Sequence, residues 1–367
     1  MTRGALLAAS ALMIVLGATN LRAADDDPVV AEAKKNVAER AGPQTVWDGP
    51  TSSYKPESGK KIAYLSSNSA NDASREWGDA VVEVSKKIGW EVTLIDGRGS
   101  PKTWLEGYNQ AVALKVAGII TDADIASLQD AVKEGARQGI VLVGIHGWAF
   151  PGPNKELGVY YNIQQDPREI GRAQADWVIA HSDGKARVVV TTHCEYQIAC
   201  TKATATKDRI AECKGCEVLE FSNSPIAEVA ERQPALVTAW VQKYGTPLYI
   251  TSVADYTADY QVPPLRAGGV ADGGVILVSA DGNRSAYERI RAGGQYQMVT
   301  ASEPYRMQAY QAVDELNRAF HGKEPSGWHQ QPYLVTPENV DAEGGDKNTF
   351  IPGNGYEEKY LSMWGVK

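Results

Sequence analysis

The 367-residue chain has few cysteines and phenylalanines, four of each, and no surplus of basic residues. Its 37 Lys and Arg stand against 45 Asp and Glu, which gives a formal charge of −8 at pH 7. An acidic chain without a basic cluster is a poor partner for nucleic acid or an anionic membrane. GxSxG, HExxH and Walker-type motifs are missing, and His146 and His193 show no close metal-ligand spacing. We therefore expect no enzymatic activity, no cofactor and no resident metal.

Long hydrophobic runs are missing as well. The apolar run at residues 5–18 has only 14 residues and follows Arg3, whereas a membrane-spanning helix needs about 20. Ala23, Ala24 and an acidic stretch come next, a pattern typical of a signal peptide cleaved after one of these two alanines. We predict a signal peptide over residues 1–24, export to the periplasm and no retained membrane anchor. Residues 25–59 then form an N-terminal leader with a short helix at 29–41.

All four cysteines lie within residues 188–218, and thiols outside the cytosol tend to form disulfides. Cys200 begins a predicted helix that Cys213 ends, which places them about 20 Å apart at 1.5 Å per residue. Because a disulfide needs Cα atoms closer than about 7 Å, we predict the pairs Cys194–Cys200 and Cys213–Cys216. The same separation disfavours a four-cysteine zinc site. The CKGC motif follows a helix instead of preceding one, which disfavours a redox role.

Apolar strands alternate with helical segments through most of the chain, as in βαβ units with parallel sheets. Two halves of similar build meet near NIQQDP, residues 162–167, and the chain is too long for one ordinary core. We therefore predict an α/β fold of two lobes, followed by one more helix, a late strand within 330–340 and a surface tail at 344–367. The predicted strands before the late one are 62–67, 90–96, 117–122, 140–146, 186–193, 216–222, 247–253, 275–281 and 296–302.

The carboxyl ends of these strands are the positions to inspect, because ligands bind there in open parallel sheets. Most of the side chains at these ends are polar or aromatic. They are residues 67–75, Asp96, Asp122, residues 146–148, 193–196, 254–256, 281–284 and 302–305.

Three stretches are similar to type I periplasmic solute-binding proteins of the ribose- and galactose-binding kind, which serve ABC importers. They are KKIAYLSSNSANDASREWGDAVVEVSKKIGWEVTLID, GIITDADIASLQDAVKEGARQGIVLVGIHG and VILVSADGNRSAYERIRAGGQYQMVTASEP. The resemblance covers roughly residues 60–335 and implies two Rossmann-like lobes with parallel sheets, joined by three hinge crossings near 162–166, 301–304 and 329–333. It implies an N-terminal lobe of residues 60–164 and 303–331 and a C-terminal lobe of residues 165–302 and 332–343.

The resemblance also implies which side chains face a ligand between the lobes. The chain departs from the family at the fourth strand, where His146-Gly147 replaces the frequent Asp-Arg. It departs again at Ala73 and Ser74, which replace the two Phe that flank the sugar in ribose binders, so ribose is disfavoured. The stacking face would then come from Trp77, Trp148, Tyr196 or Tyr256. The family's other ligand-contacting positions fall on Asn71, His146, Asp166, Lys202, Asp255, Asp281 and either Ser302 or Glu303.

Carboxylates that accept two hydroxyl hydrogen bonds, combined with an aromatic face, suit an uncharged polar ring. The residues leave other roles open. Asp281 could be the N-cap of the next helix, and Asn71 could form an Asx-turn. Glu303 could be a hinge residue whose backbone alone matters, and several carboxylates with aromatic walls could instead hold a cationic ligand.

The function expected from this resemblance is that of the substrate-binding component of an ABC importer. It would be a monomer that captures a small polar ligand, a monosaccharide or a polyol, and delivers it to a permease and its ATPase. The alternative is a periplasmic sensor that signals to a membrane kinase or chemoreceptor. A secreted metal enzyme is disfavoured, and so are partnership with nucleic acid and insertion into a membrane.

Overall fold

The computed structural model of the protein describes Met1 and residues 27–366. The predicted signal peptide, apart from Met1, lies outside the described residues. Within the described part of the chain, no helix combines the length and the apolar character needed to cross a membrane.

Strands and helices alternate along most of the described chain. The strands are β1 Lys61–Ser66, β2 Glu91–Asp96, β3 Gly118–Thr121, β4 Val141–Ile145, β5 Gly152–Asn154, β6 Val159–Ile163, β7 Arg187–Thr192, β8 Glu217–Asn223, β9 Leu248–Ser252, β10 Val275–Asp281, β11 Gln297–Ser302 and β12 Tyr333–Val335. The α-helices are α1 Pro28–Ala41, α2 Asp72–Lys87, α3 Pro101–Ala113, α4 Gln129–Arg137, α5 Pro167–His181, α6 Gln197–Glu212, α7 Val229–Tyr244, α8 Thr257–Ala267, α9 Arg284–Ala292, α10 Tyr305–Phe320 and α11 Tyr356–Trp364.

The strands form two six-stranded sheets, which confirms the predicted α/β fold of two lobes. The first sheet has the order β2-β1-β3-β4-β6-β5, and the second has the order β12-β11-β10-β9-β7-β8. Pairing is parallel except at β5–β6 and β11–β12. The inner strands are near-continuous apolar runs because helices cover both faces of each sheet. Because the inner strands are parallel, their carboxyl ends lie at one edge of each sheet, where loops carry the polar residues.

The chain crosses between the two sheets three times. It leaves the first sheet after β6, returns after β11 and crosses again between α10 and β12. Helix α10 packs on α2 and β4, so it belongs with the first sheet, whereas β12 pairs with β11 of the second.

Two parts of the fold differ from the sequence-based expectation. A short antiparallel hairpin, β5–β6, lies before the first crossing, where only a junction was expected. The tail was expected on the surface, but its helix α11 buries Tyr356, Tyr360 and Trp364 in the core of the first lobe. These residues recur every four positions, so they share one face of the helix and present it to the core.

The segments before β1 and after β12 each contact both lobes. Helix α1 packs on α5 of the second lobe, and Trp47 then packs against Trp328 and Tyr360 of the first. In the tail, Arg291 of the second lobe donates to the Gly345 carbonyl at 2.5 Å, before α11 enters the first lobe. The ends of the chain therefore join the lobes in addition to the three crossings.

Candidate functional site

A cavity of about 290 Å³ lies between the carboxyl edges of the two sheets. This volume is at the lower end of the range for small-molecule sites, roughly 300–1,000 Å³. Both lobes and the crossing after β11 contribute to its wall. The lining residues are Ser67, Asn71, Ala73, Ser74, Trp77, Asp122, His146, His193, Tyr196, Ile198, Ala199, Lys202, Ile226, Val253, Ala254, Tyr256, Asp281, Glu303 and Tyr305.

Asp122, just after β3, organises the first-lobe wall. Its carboxylate accepts hydrogen bonds from the Ser67 backbone N–H at 2.8 Å and the Ser67 hydroxyl at 2.7 Å. It also accepts from the Tyr64 hydroxyl at 3.1 Å and from the Ser74 hydroxyl. Burial raises the pKa of Asp122, and these donors pull it back towards its usual range. Because its oxygens already have four donors, Asp122 shapes the wall more than it offers a free acceptor.

Glu303 lines the cavity at the crossing after β11. Its Oε2 is 2.5 Å from His146 Nε2 and accepts from Gln308 Nε2 at 2.8 Å. Trp77 Nε1 in turn donates to Gln308 Oε1 at 2.8 Å, so the Trp77 ring is fixed beside the carboxylate. Burial alone would raise the pKa of Glu303, but the His146 charge and hydrogen bond and the Lys202 charge hold it below its usual range. Its Oε1 is buried and has no hydrogen-bond partner among the described residues.

Lys202 and Asp281 form an ion pair on the second-lobe side, with 2.9 Å between Nζ and Oδ1. The Lys202 side chain is 6% exposed and that of Asp281 is 36% exposed. Burial alone would lower the pKa of Lys202, but the Asp281 and Glu303 charges more than offset this and leave it raised. The cavity therefore holds a lysine that stays charged between two carboxylates.

Aromatic rings cover much of the second-lobe wall. His193 stacks on Tyr256 with ring centroids 5.7 Å apart, and its Nδ1 donates to the Ser224 carbonyl at 2.7 Å. Tyr305, from α10 of the first lobe, faces this wall and donates to the Asp281 carbonyl at 2.7 Å. Tyr196 is 46% exposed and lies at the mouth of the cavity. The wall therefore combines apolar faces with fixed polar tips, as ligand-binding clefts do.

Two cavity residues have an unusual backbone conformation. His146 and Asp281, each at or just past a strand end, have φ of 57° and 96°. Side chains with a Cβ rarely adopt positive φ, and such residues cluster at ligand sites where the surroundings hold them. Gly282 follows Asp281, and a Cβ there would lie 1.8 Å from Ser302 Oγ. This turn fixes the direction of the Asp281 side chain.

The comparisons with known proteins agree with this geometry. A family model described as "Periplasmic binding protein domain" matches residues 62–324, which is more than half of the chain. The chain belongs to the periplasmic binding protein family. No curated protein sequence matches it.

Solved structures of periplasmic binding proteins share the fold. The Caulobacter myo-inositol binding protein, solved with myo-inositol, is 17% identical with a TM-score of 0.67, over 80% of this chain and 99% of that one. The arabinose-transporter binding component from Shewanella sp. ANA-3, solved with L-arabinofuranose, is 15% identical with a TM-score of 0.65, over 84% and 98%. A periplasmic ribose ABC transporter protein from Conexibacter woesei is 19% identical with a TM-score of 0.68, over 80% and 96%. At these identities, the likeness shows the fold alone.

Most of the predicted ligand-contacting residues of this periplasmic binding protein line the cavity, and three do not. Trp148 lies in a neighbouring groove. Asp166 and Asp255 line neither the cavity nor this groove. The predicted residues on the cavity wall are Asn71, Trp77, His146, Tyr196, Lys202, Tyr256, Asp281 and Glu303.

Asp166 caps α5 instead of facing the cavity. Its Oδ1 accepts from the Arg168 backbone N–H at 2.8 Å, and its carboxylate also pairs with the Arg168 guanidinium. Asn71 is a helix cap that also lies on the cavity wall. Its Oδ1 caps α2 through the Ser74 N–H at 3.2 Å, and the residue still lines the cavity.

Asp255 lies behind the cavity and organises the turn after β10. It accepts from the Gly282 N–H at 2.7 Å, the Asn283 N–H at 3.0 Å, and the side chains of Gln297, Thr300 and Ser279. Burial, followed by the Asp281 charge, raises its pKa to about 6. The cap of α9 is Asn283, which accepts from Ala286 N–H at 3.0 Å, so Asp281 remains available to the cavity.

Several residues on the cavity wall were among the strand-end positions to inspect but not among the predicted ligand contacts. They follow strand ends, so their position is the signal that could have found them, but their residue types are also common in loops. They are Ser67, Ser74, Asp122, His193 and Tyr305.

Both predicted disulfides, Cys194–Cys200 and Cys213–Cys216, are present. They lie at opposite ends of α6, because Cys200 is in its first turn and Cys213 directly follows its end. In the described part of the chain, no cluster of three or more His, Cys, Asp or Glu is placed to hold a metal ion.

Proposed function

We propose that this chain is the periplasmic substrate-binding component of an ABC importer and that it captures a monosaccharide or polyol between its lobes. The observation that carries the proposal is a cavity whose wall comes from both strand-end edges. Structurally similar proteins bind myo-inositol and L-arabinofuranose, and their likeness adds support for this ligand class.

The charges of the cavity favour an uncharged ligand over a cationic one. Asp281 is paired with Lys202, Glu303 Oε2 is hydrogen-bonded by His146 and Gln308, and Asp122 already has four donors. A cation would have to compete with Lys202 for Asp281, whereas a polyol can donate to Asp281 and accept from Lys202 without breaking this ion pair. Glu303 Oε1, which has no hydrogen-bond partner among the described residues, offers a further acceptor. Hydroxyl groups both donate and accept, so one ligand can satisfy both partners.

The mechanism is a shift between open and closed lobes. A ligand that touches His146 of the first lobe and Lys202 of the second gains contacts only when both are near, so it favours the closed state. Glu303 lies on a crossing segment and contacts the His146 side chain. Closure then presents both lobes together to the permease.

Binding is tested by thermal unfolding and calorimetry of the mature protein against pentoses, hexoses, inositols and quaternary amines. A bound ligand at 100 times its Kd should stabilise the fold by about 2.7 kcal/mol. We expect a selective shift from one sugar or polyol, lost in Glu303→Gln and Asp281→Asn. Asp208→Asn, on the exposed face of α6, is the matched control and should keep the shift. A response to a quaternary amine alone would overturn the proposed ligand class.

Transport and export need separate experiments. Ligand-loaded protein should stimulate ATP hydrolysis by the cognate permease complex in liposomes, and the ligand-free protein should stimulate it less. A sensory role would instead give ligand-dependent activation of a membrane kinase without uptake. The mature protein isolated from the periplasm should begin at residue 24 or 25.

A further inference from the structure

A groove of about 480 Å³ adjoins the cavity at its mouth. The two adjoin, because they share wall residues. The groove adds Trp104 and Trp148 from the first lobe and Gln197 from the second. The residues common to both are Ser67, Asp122, His146, Tyr196 and Ile198.

The first-lobe wall of the groove is a loop whose backbone is fixed from below. Asn162 Nδ2 donates to the carbonyls of Trp148 at 3.1 Å and Phe150 at 2.9 Å, and its Oδ1 accepts from the Gly147 N–H at 3.1 Å. Gln164 Nε2 donates to the Ala149 carbonyl at 2.8 Å. Asn162 and Gln164 are completely buried. The loop therefore presents the partly exposed Trp148 ring in one position.

The second-lobe wall is fixed by a covalent bond. The Cys194–Cys200 disulfide ties the turn before α6 to the first turn of the helix, and residues 195–198 between the two cysteines all line the groove. Asn223 Oδ1 also accepts from the Cys194 N–H at 2.8 Å. Tyr196, 46% exposed, is thereby held across the groove from Trp148.

We propose that this groove is a second subsite, which takes the second ring of a disaccharide while the first ring occupies the cavity. The proposal rests on the proposed function, because it needs a sugar in the cavity. The partly exposed Trp148 ring and the exposed Tyr196 ring offer apolar faces with polar tips, which suit a sugar ring. Two pre-ordered loops reduce the entropy that binding would otherwise lose. Exposed Glu195 and Gln197 can bond the outer hydroxyls.

The experiment compares each free sugar with a disaccharide that contains it. Calorimetry would use glucose with cellobiose, galactose with lactose, xylose with xylobiose, and myo-inositol with galactinol. We expect one disaccharide to bind more tightly than its parent sugar. Trp148→Ala should lower the affinity for the disaccharide about tenfold and change the affinity for the free sugar less than about twofold. Gln197→Ala, on the surface, should act in the same direction. Tyr260→Ala, an exposed aromatic of α8 outside the groove, is the control.

The outcomes separate the two proposals. A free sugar that binds while every disaccharide is excluded would overturn the subsite and leave the proposed function intact. So would a Trp148→Ala variant that binds both members of a pair with unchanged affinity. If no carbohydrate binds at all, the proposed function fails and the subsite falls with it.

Discussion

The indole Nε1 of Trp364 donates to Asp314 Oδ1 at 2.7 Å in the interior of the first lobe. Trp364 is completely buried and belongs to α11, close to the end of the chain. Asp314 also accepts from Ser53 of the leader and pairs with Arg318 at 2.7 Å. One buried carboxylate of α10 therefore holds both ends of the chain against the lobe.

Trp364→Ala should lower the free energy of unfolding by about 3–5 kcal/mol, because it leaves a large cavity and removes a donor to a buried carboxylate. Trp364→Phe keeps most of the ring volume and should cost about 1–3 kcal/mol, mainly from the lost hydrogen bond. Urea unfolding followed by circular dichroism measures both. Ser362→Ala, on the exposed side of α11, should change the free energy by less than about 0.5 kcal/mol. Equal stabilities of Trp364→Ala and the parent protein would contradict this packing.

The sequence predicted the alternation of strands and helices well but the role of the tail poorly. The apolar runs of the inner strands are unmistakable, because such strands are buried on both faces. Helix α11 has only nine residues and starts after Gly353, Asn354 and Gly355, which indicates a loop. Its burial depends on α10, a contact between distant parts of the chain that a local pattern does not contain. The β5–β6 hairpin was missed because Gly152 and Pro153 also favour a turn.

Lys202→Met should destabilise the protein by about 3–5 kcal/mol, because Asp281 and Glu303 would lose the cation between them. The pKa of Lys202 is raised in the folded protein. The stabilisation from the Lys202 charge is therefore complete below the ordinary pKa of lysine and is lost as the pH rises through the pKa of the folded protein. The double variant Lys202→Met/Asp281→Asn should recover much of the lost stability without restoring ligand binding. Chemical unfolding and calorimetry with the ligand found in the panel separate the two effects. A single variant that binds normally would exclude Lys202 from the site.

The site residues could be predicted where their position at a strand end decides whether they face the cavity. They could not be predicted where hydrogen-bond partners from other strands decide it. Lys202, Asp281 and Glu303 follow strand ends or lie one turn into a helix, so the family pattern placed them. Asp166 and Asp255 occupy equivalent positions, but nearby donors turn both towards the protein. Whether a carboxylate faces the cavity depends on which hydrogen-bond donors surround it, such as Gln297 and Thr300 around Asp255, and those come from other strands.

Glu315 should make stability depend on pH. It is completely buried in α10 and accepts from the Ser326 N–H at 3.2 Å, and burial raises its pKa to about 7. The folded protein then holds a proton that the unfolded chain releases near pH 4.5. The contribution of Glu315 to stability is therefore greatest below pH 4.5 and declines as the pH rises to about 7, by about 3 kcal/mol in all.

Glu315→Gln removes this titration, so the comparison isolates Glu315 from all other groups. The free energy of unfolding of the parent protein relative to Glu315→Gln should fall by about 3 kcal/mol between pH 4 and pH 8. Urea unfolding of both proteins at several pH values gives the difference. A constant difference across this range would mean that the pKa of Glu315 is the same in the folded and the unfolded protein.

The two disulfides should have separable effects, because they close small loops at opposite ends of α6. Replacing either pair by serine should cost about 2 kcal/mol of stability, since short loops lose little entropy on closure. Only Cys194→Ser/Cys200→Ser frees Glu195 and Tyr196, which precede α6, so Tyr196 must be ordered again on binding. We expect this variant to bind the ligand about tenfold more weakly, because ordering side chains and backbone on binding costs free energy. Cys213→Ser/Cys216→Ser lies far from the cavity, near Gly184, and should bind within about twofold of the parent protein. Calorimetry measures the ligand affinity of the parent protein and of both double variants. Equal affinities would mean that the Cys194–Cys200 disulfide does not order the segment that faces the ligand.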